Sequence, residues 1–313
     1  MTQLETLTSP SYNSQPDMKL RLQSQMFRIR VLETKLQALC DRGELSADLH
    51  FSTGQEAIAV GVQAALRDSD YVVSHHRTIA HAVAKGVPLY GLVAELLGKA
   101  DGINGGLAGE MHMSYTPKRF MFSFQLVGTC IPVAAGIAWA VKNHLKSDDI
   151  VVVFHGEAAT ANGQFHEGLN IAAVQRLPLL LVCENNYLAG NVRSEHYLPT
   201  EYVDQRAAAY GIESNTVDGN DVEAVLAAAE QAVAYVRRRS RPFFLVCDTT
   251  RLGKHKQGQG DLRSKQELQL LRERDPLRHL TLSRSVQSEI EFEIDSIIAQ
   301  AQAGGDSTMP KEV

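Results

Sequence analysis

The sequence predicts an α/β protein built on a parallel sheet with helices on both faces. Three apolar runs and the segments between them carry that prediction. Ile150-Val151-Val152-Val153-Phe154 is a nearly continuous β-branched run, Leu177 to Cys183 is a second, and Pro242 to Cys247 a third. Helical patterns over 163–176, 203–210 and 221–238 lie between and around them. Strands that are apolar throughout, instead of alternating, belong to a sheet covered on both sides.

The rest of the chain fits the same class. Residues 1–17 are polar with two prolines and read as a disordered arm. A helix is expected from Met18 to Arg42, with Leu20, Met26, Ile29, Leu32, Leu36 and Leu39 on one stripe. Tyr71-Val72-Val73 reads as a short strand. His75 to Lys85, Leu89 to Leu97 and Ile131 to Leu145 read as helices. Residues 100–110 are glycine-rich without period and are expected to form a mobile loop near a ligand or a neighbouring chain. The segment after Gly260 is charged and helical, and a loose tail is expected over 304–313. The α/β domain itself is expected over 18–303.

Composition excludes several classes. The 313 residues are 44% apolar and 21% charged, enough for a sizeable core. The net charge is −5, and Arg237-Arg238-Arg239 is too short a basic block for a nucleic-acid footprint. No apolar run approaches the roughly 20 residues that cross a bilayer. The N-terminus lacks the basic-then-apolar pattern of a secretory signal, so a cytoplasmic location is expected. The cysteines Cys40, Cys130, Cys183 and Cys247 form no CxxC pair and read as free thiols.

Ligands of parallel sheets bind at the carboxyl ends of the strands. That rule selects His155–Ala161, Glu184–Gly190 and Asp248–His255. Glu157 ends the first run. Asn186 ends the second, one helix and one strand later. A right-handed crossover brings both to the same sheet edge. A carboxylate with an amide oxygen, without His or Cys, is a hard donor set that suits Mg²⁺ sharing its shell with phosphates.

At this block the sequence resembles a known family. Gly-Asp-Gly, a spacer and then Asn-Asn mark thiamine-diphosphate enzymes. The words GQFHEGLNIAAVQRLPLLLVCENN are similar to the alpha subunit of the decarboxylating component of 2-oxo acid dehydrogenase complexes, of the pyruvate, branched-chain and acetoin types. The resemblance runs from about Met18 to Leu280. It includes Gly54-Gln55-Glu56-Ala57, Arg77, Gly109-Glu110-Met111-His112-Met113, Val127-Gly128, Ile131-Pro132 and Asp275-Pro276.

The resemblance implies a thiamine-diphosphate-binding fold. It implies Mg²⁺ held by the side chains of Glu157 and Asn186 and the carbonyl of Leu188. Gly156 and Ala158 would lie beneath the diphosphate, and Arg77, with His76 beside it, at the terminal phosphate. Val127 would touch the aminopyrimidine ring. His255 would act in the active site and near the phosphate, and His112 would line the site. Gln55 and Glu56 read as structural or packing residues. The usual Asp is Glu157, the usual second Gly is Ala158, the usual Tyr is His76, and the usual His two residues after the arginine is Ile79. Tyr187 and Leu188 follow Asn186 where a small or polar residue and then Tyr are usual. The usual His-Gly-His-Ser of the loop reads Gly253-Lys254-His255-Lys256, without the regulatory serine. These departures touch substrate and cofactor contacts more than the fold.

The implied activity is decarboxylation of a 2-oxo acid, or cleavage of a ketose, with transfer of the acyl or ketol unit to a lipoyl-bearing or carrier protein. Two alternatives stand beside it: a carboligating subunit of a specialised pathway, and a non-catalytic cofactor-binding homologue. In the two-chain members the glutamate at the pyrimidine ring belongs to the beta subunit. An assembly of two alpha and two beta chains is therefore expected.

Overall fold

The computed structural model describes residues 16–45, 49–199 and 202–308. The expected arm over 1–17 lies almost wholly outside these, as does the end of the expected tail. The elements follow in the order α1 (Pro16–Asp41), α2 (Glu56–Ala64), β1 (Tyr71–His75), α3 (Ile79–Lys85), α4 (Leu89–Leu96), β2 (Phe120–Phe124) and α5 (Cys130–Ala140). Then come β3 (Val151–Gly156), α6 (Gly163–Val174), β4 (Leu179–Asn185), the small pair β5 (Leu188–Ala189) and β6 (Val192–Arg193), and α7 (Gln205–Ala208). The chain closes with β7 (Glu213–Asp218), α8 (Val222–Arg239), β8 (Phe243–Asp248), α9 (Lys265–Arg272) and α10 (Arg284–Gln302).

Six strands form one parallel sheet in the order β2-β1-β3-β4-β8-β7. Side chains alternate across it, so each apolar strand feeds two cores. Val151, Val153, Leu179 and Leu181 pack with Ile131, Ala134, Phe165 and Leu169 of α5 and α6. Val152, Phe154, Leu180 and Val182 pack with Met26, Ile29, Leu32, Ile58 and Val225 of α1, α2 and α8. Two glycines permit close approach. A Cβ on Gly61 would meet Val225 Cγ1 at 2.7 Å, where α2 crosses α8. Gly54 has φ +99° and lies so close to Thr250 that a Cβ would sit 2.2 Å from its carbonyl oxygen. The loop after β8 is thereby pressed onto the segment before α2. Glu56 pairs with Arg30 at 2.5 Å and 3.0 Å, and Arg30 reaches Asp275 at 3.0 Å. The structural reading of Glu56 thus takes the form of an ion network within the chain.

Several expectations change. His75 ends β1, where it pairs with Phe124 of β2, and the helix starts only at Ile79. The helix expected from Ile131 to Leu145 stops being α-helical at Ala140 and closes with one π turn. Leu20 of the α1 stripe is exposed, whereas Met26, Ile29, Leu32, Leu36 and Leu39 are buried. The glycine-rich segment is pinned rather than loose: the buried Glu95 carboxylate accepts the backbone N–H groups of Asn104, Gly106, Ala108 and Gly109 at 2.7–3.1 Å. The tail is also held where it is described. Ala100 N–H donates to Gly305 O, Ser307 N–H donates to Gly98 O, and Lys99 pairs with Asp306. All four cysteines are free thiols.

Candidate active site

The carboxyl ends of β3 and β4, the loop after β8 and the segments before α2 and after β1 surround one cavity of about 390 Å³. It is lined by Gly156, Glu157, Ala158, Asn186, Leu188, Val127, His76, Arg77 and His255, among others. These are the residues singled out from the sequence, with one exception. His112 is exposed and lies outside the lining, and its neighbour Met111 takes the wall position. Side chains one residue apart at this turn point different ways, which the motif alone does not resolve.

The β3–β4 wall is an oxygen wall. Glu157 opens a short 3₁₀ turn directly after β3 and is 1% exposed. Burial raises its carboxyl above the ordinary range. Tyr197 O–H donates to its Oε1 at 2.6 Å, and Asn186 N–H donates to its Oε2 at 3.3 Å. Asn186 is held in turn: its Nδ2 donates to Gln55 Oε1 at 2.9 Å, and its Oδ1 accepts Leu188 N–H at 3.2 Å. That last bond closes an Asx turn over Tyr187, whose φ of +63° lies in the left-handed region. Ala158 does not require such a φ, so the exchange of glycine for alanine there costs the turn no strain. A Cβ on Gly156 would meet nothing within 4 Å, so that backbone borders open space.

The opposite wall is cationic and imidazole-rich. Arg77 is 3% exposed and, among the described residues, forms no ion pair. Burial lowers its pKa. Its guanidinium donates to Phe51 O at 2.5 Å, to His255 O at 2.9 Å and to His255 Nδ1 at 3.1 Å. Arg77 thus ties the segment before α2 to the loop after β8. Partial burial, then the charges of Arg77, Arg251 and Lys256, push the His255 imidazole down to about 4. The His76 ring lies 4.9 Å from His50, 5.0 Å from His75 and 5.8 Å from His255. Val127 is 43% exposed at the rim and its carbonyl accepts from Asn162 Nδ2.

The structure adds contacts at six further residues that received no site role from the sequence. Arg251 is buried, donates to Gly190 O, and is lowered to about 9 by burial and by Arg77 and Arg263. Tyr197 and Gln55 hold Glu157 and Asn186, and only the fold shows that they reach them. His75 and His81 approach the buried Glu184 at 2.7 Å and 3.2 Å. Burial opposes charge on Glu184, yet the imidazoles of His81 and His75 hold it below the usual carboxylate range. The donor atoms of these three lie within 4.8 Å of one another, a metal-like grouping. Proton bookkeeping assigns them instead to a hydrogen-bond cluster. Arg77 N–H points at His75 Nδ1 at 3.3 Å, so the His75 proton sits on Nε2 and is donated to Glu184.

The donor chemistry fits a divalent cation with a phosphate-bearing ligand. Glu157 and Asn186 offer hard oxygens at one end of the cavity, and the buried Arg77 has no carboxylate partner among the described residues at the other. The family model described as dehydrogenase E1 component matches residues 24–303. The alpha subunit of acetoin:2,6-dichlorophenolindophenol oxidoreductase from Bacillus subtilis (strain 168) is 38% identical over 239 residues, covering 76% of this chain and 72% of its own. The alpha subunit of the pyruvate dehydrogenase E1 component from Rhizobium meliloti (strain 1021) is 35% identical over 264 residues, 83% of this chain and 75% of its own. A chloroplastic pyruvate dehydrogenase E1 alpha-3 subunit from Oryza sativa subsp. japonica is 33% identical over 306 residues, 92% of this chain and 72% of its own. The chain belongs to the dehydrogenase E1 component family.

Proposed function

We propose that this chain is the alpha subunit of a thiamine-diphosphate-dependent oxidoreductase that decarboxylates a 2-oxo acid and passes on the acyl unit. The observation that carries the reading is the cavity itself: buried hard oxygens on one wall and, on the other, a buried guanidinium with no carboxylate ion pair among the described residues. The names of the relatives, acetoin oxidoreductase and pyruvate dehydrogenase, support the same class of chemistry.

Glu157, Asn186 and the Leu188 carbonyl would hold Mg²⁺, and Arg77 would hold the terminal phosphate. Gly156 and Ala158 supply backbone that a diphosphate can approach. When bound, thiamine diphosphate supplies the electron sink for breaking a bond beside a carbonyl. The chain's own residues orient it. Tyr197 holds one Glu157 oxygen, Gln55 turns the Asn186 amide, and the Arg77 bonds keep two loops closed over the anion.

A beta subunit would complete the assembly as two alpha and two beta chains. Leu126, 73% exposed, stands beside Val127 at the cavity rim and offers an apolar surface for a second chain to cover. A lipoyl-bearing or carrier protein would take the acyl unit. No helix among the described residues is long and apolar enough to cross a membrane, and a cytoplasmic location fits this reading.

The test is Glu157→Ala. The variant should fold and lose Mg²⁺-dependent binding of thiamine diphosphate, measured by calorimetry. Unchanged binding would remove the reading.

A further inference from the structure

A buried bridge joins the two walls of the cavity. In the sheet, β3 lies between β1 and β4. Glu184, near the end of β4, nevertheless reaches past β3. Its Oε2 lies 2.7 Å from Nε2 of His75, the last residue of β1, and its Oε1 lies 3.2 Å from Nε2 of His81 in α3. All three side chains are buried. The His81 ring lies almost flat on Phe154 of β3, with centroids 3.9 Å apart and planes 20° from parallel. The intervening strand thus supports the crossing.

The proton positions follow from the partners. Arg77 N–H points at His75 Nδ1, so that nitrogen carries the lone pair and Nε2–H donates to Glu184. Burial lowers the His75 pKa, which keeps the ring neutral. His81 meets Ser74 Oγ at Nδ1, 2.8 Å away, where a hydroxyl can either give or take the bond. Its Nε2–H is then available to the second carboxylate oxygen.

The bridge runs on into the cationic wall. His75 holds the main-chain N–H of Arg77, in the stretch where β1 has ended and α3 has not begun. At its other end, Glu184 stands two residues before Asn186. One chain of bonds therefore ties the mount of the guanidinium to the strand that leads to the oxygen wall. A buried carboxylate is a costly way to join two strands, and an apolar pair would hold them at lower cost. What the carboxylate adds is direction, because both of its oxygens are met by defined donors.

Building on the function proposed above, we infer that Glu184 and His75 are positioning residues for Arg77. They set its guanidinium at the distance from Glu157 and Asn186 that a metal-bound diphosphate requires. Glu184 borders the cavity, but its two oxygens are taken up by the imidazoles, so it acts through His75 and Arg77.

Calorimetry of thiamine diphosphate binding to the chain in Mg²⁺ tests this role without turnover. Glu184→Ala should weaken binding by about 10-fold. Glu184→Gln should stay within about threefold of wild type, because its amide oxygen still accepts from His75 and His81 can turn a lone pair to its N–H. The double variant is decisive. If Glu184 acts through Arg77, Glu184→Ala with Arg77→Ala should bind within about twofold of Arg77→Ala alone. Unchanged binding in Glu184→Ala would overturn the inference. So would a double variant weakened by the product of the two single losses, which marks a direct contact or a general loss of structure. Nitrogen NMR of the wild-type chain labelled with ¹⁵N-histidine decides the matter even where the alanine variants do not fold. His75, assigned by the signal missing from His75→Gln, should be neutral with its proton on Nε2. An Nδ1–H or doubly protonated ring would break the bridge and overturn the inference. A folded wild-type chain that binds no thiamine diphosphate would overturn the proposed function and this inference with it, whereas the other outcomes strike the inference alone.

Discussion

The two walls of the cavity are assembled in different ways. The oxygen wall comes from one β-α-β unit: Glu157 at the end of β3, Asn186 at the end of β4 and α6 between them. The imidazole–arginine wall draws His50 from before α2, His76 and Arg77 from after β1, and His255 from after β8. A local unit needs only a right-handed crossover to bring its two polar residues together, and Asn186 N–H reaches Glu157 at 3.3 Å. The distributed wall depends on sheet order, because β1 and β8 flank the β3–β4 pair. The local wall is therefore a fixed pair of oxygen-bearing side chains. The distributed one is held closed by Arg77, and it can change its chemistry one segment at a time.

Substitutions should separate the walls. Arg77→Ala removes a buried charge-assisted donor and three contacts between loops. Affinity for thiamine diphosphate in Mg²⁺ should fall by about 30- to 100-fold, on the order of 2–3 kcal/mol. Thermal stability should fall with it, and Arg77→Lys should restore the charge without the fork. Equal affinity in wild type and Arg77→Ala would show that the distributed wall does not hold the phosphate.

A smaller effect is expected from Glu33, which lies beneath the same loop and accepts from Ser52 N–H, Ser52 Oγ–H and Thr53 Oγ1–H. Burial, then the neighbouring Glu56, raises its carboxyl from 4.5 to about 7. The folded protein therefore holds this proton more tightly than the unfolded chain. That stabilisation is complete below about pH 4.5 and is lost as pH rises through 7. It amounts to at most about 3 kcal/mol. Melting temperature measured from pH 5 to 8 should decline less in Glu33→Gln than in wild type. Parallel profiles would remove Glu33 as the cause. The smallest effect belongs to His112→Ala: cofactor affinity should stay within about twofold, because the side chain is exposed outside the cavity. A large loss would return His112 to the site.

How much was legible follows the same division. β1, β3, β4 and β8 announce themselves because strands with neighbours on both sides must be apolar on both faces. Val151–Phe154 and Leu179–Cys183 are 2% exposed or less. The edge strands β2 and β7 do not. Glu213–Asp218 pairs on one side only and is polar enough to read as loop. The oxygen wall was legible because Glu157 and Asn186 are brought together by one crossover. The pairing of Glu184 with His75 was not, since it joins two strands with a third between them. Neither was the pinning of 104–109 by Glu95, because backbone N–H groups leave no mark in a sequence. His112 shows the limit of a motif: it fixes the segment but not which neighbour, Met111 or His112, turns inward.

The central claim is that this chain holds a diphosphate through a metal set on Glu157 and Asn186. Titration of thiamine diphosphate into the purified chain by calorimetry, once in Mg²⁺ and once in EDTA, tests it most directly, with thiamine monophosphate as the control ligand. The account predicts binding of the diphosphate in Mg²⁺ and loss of it in EDTA, with the monophosphate weak in both. Equal binding in EDTA, or equal binding of the two thiamine esters, would contradict it.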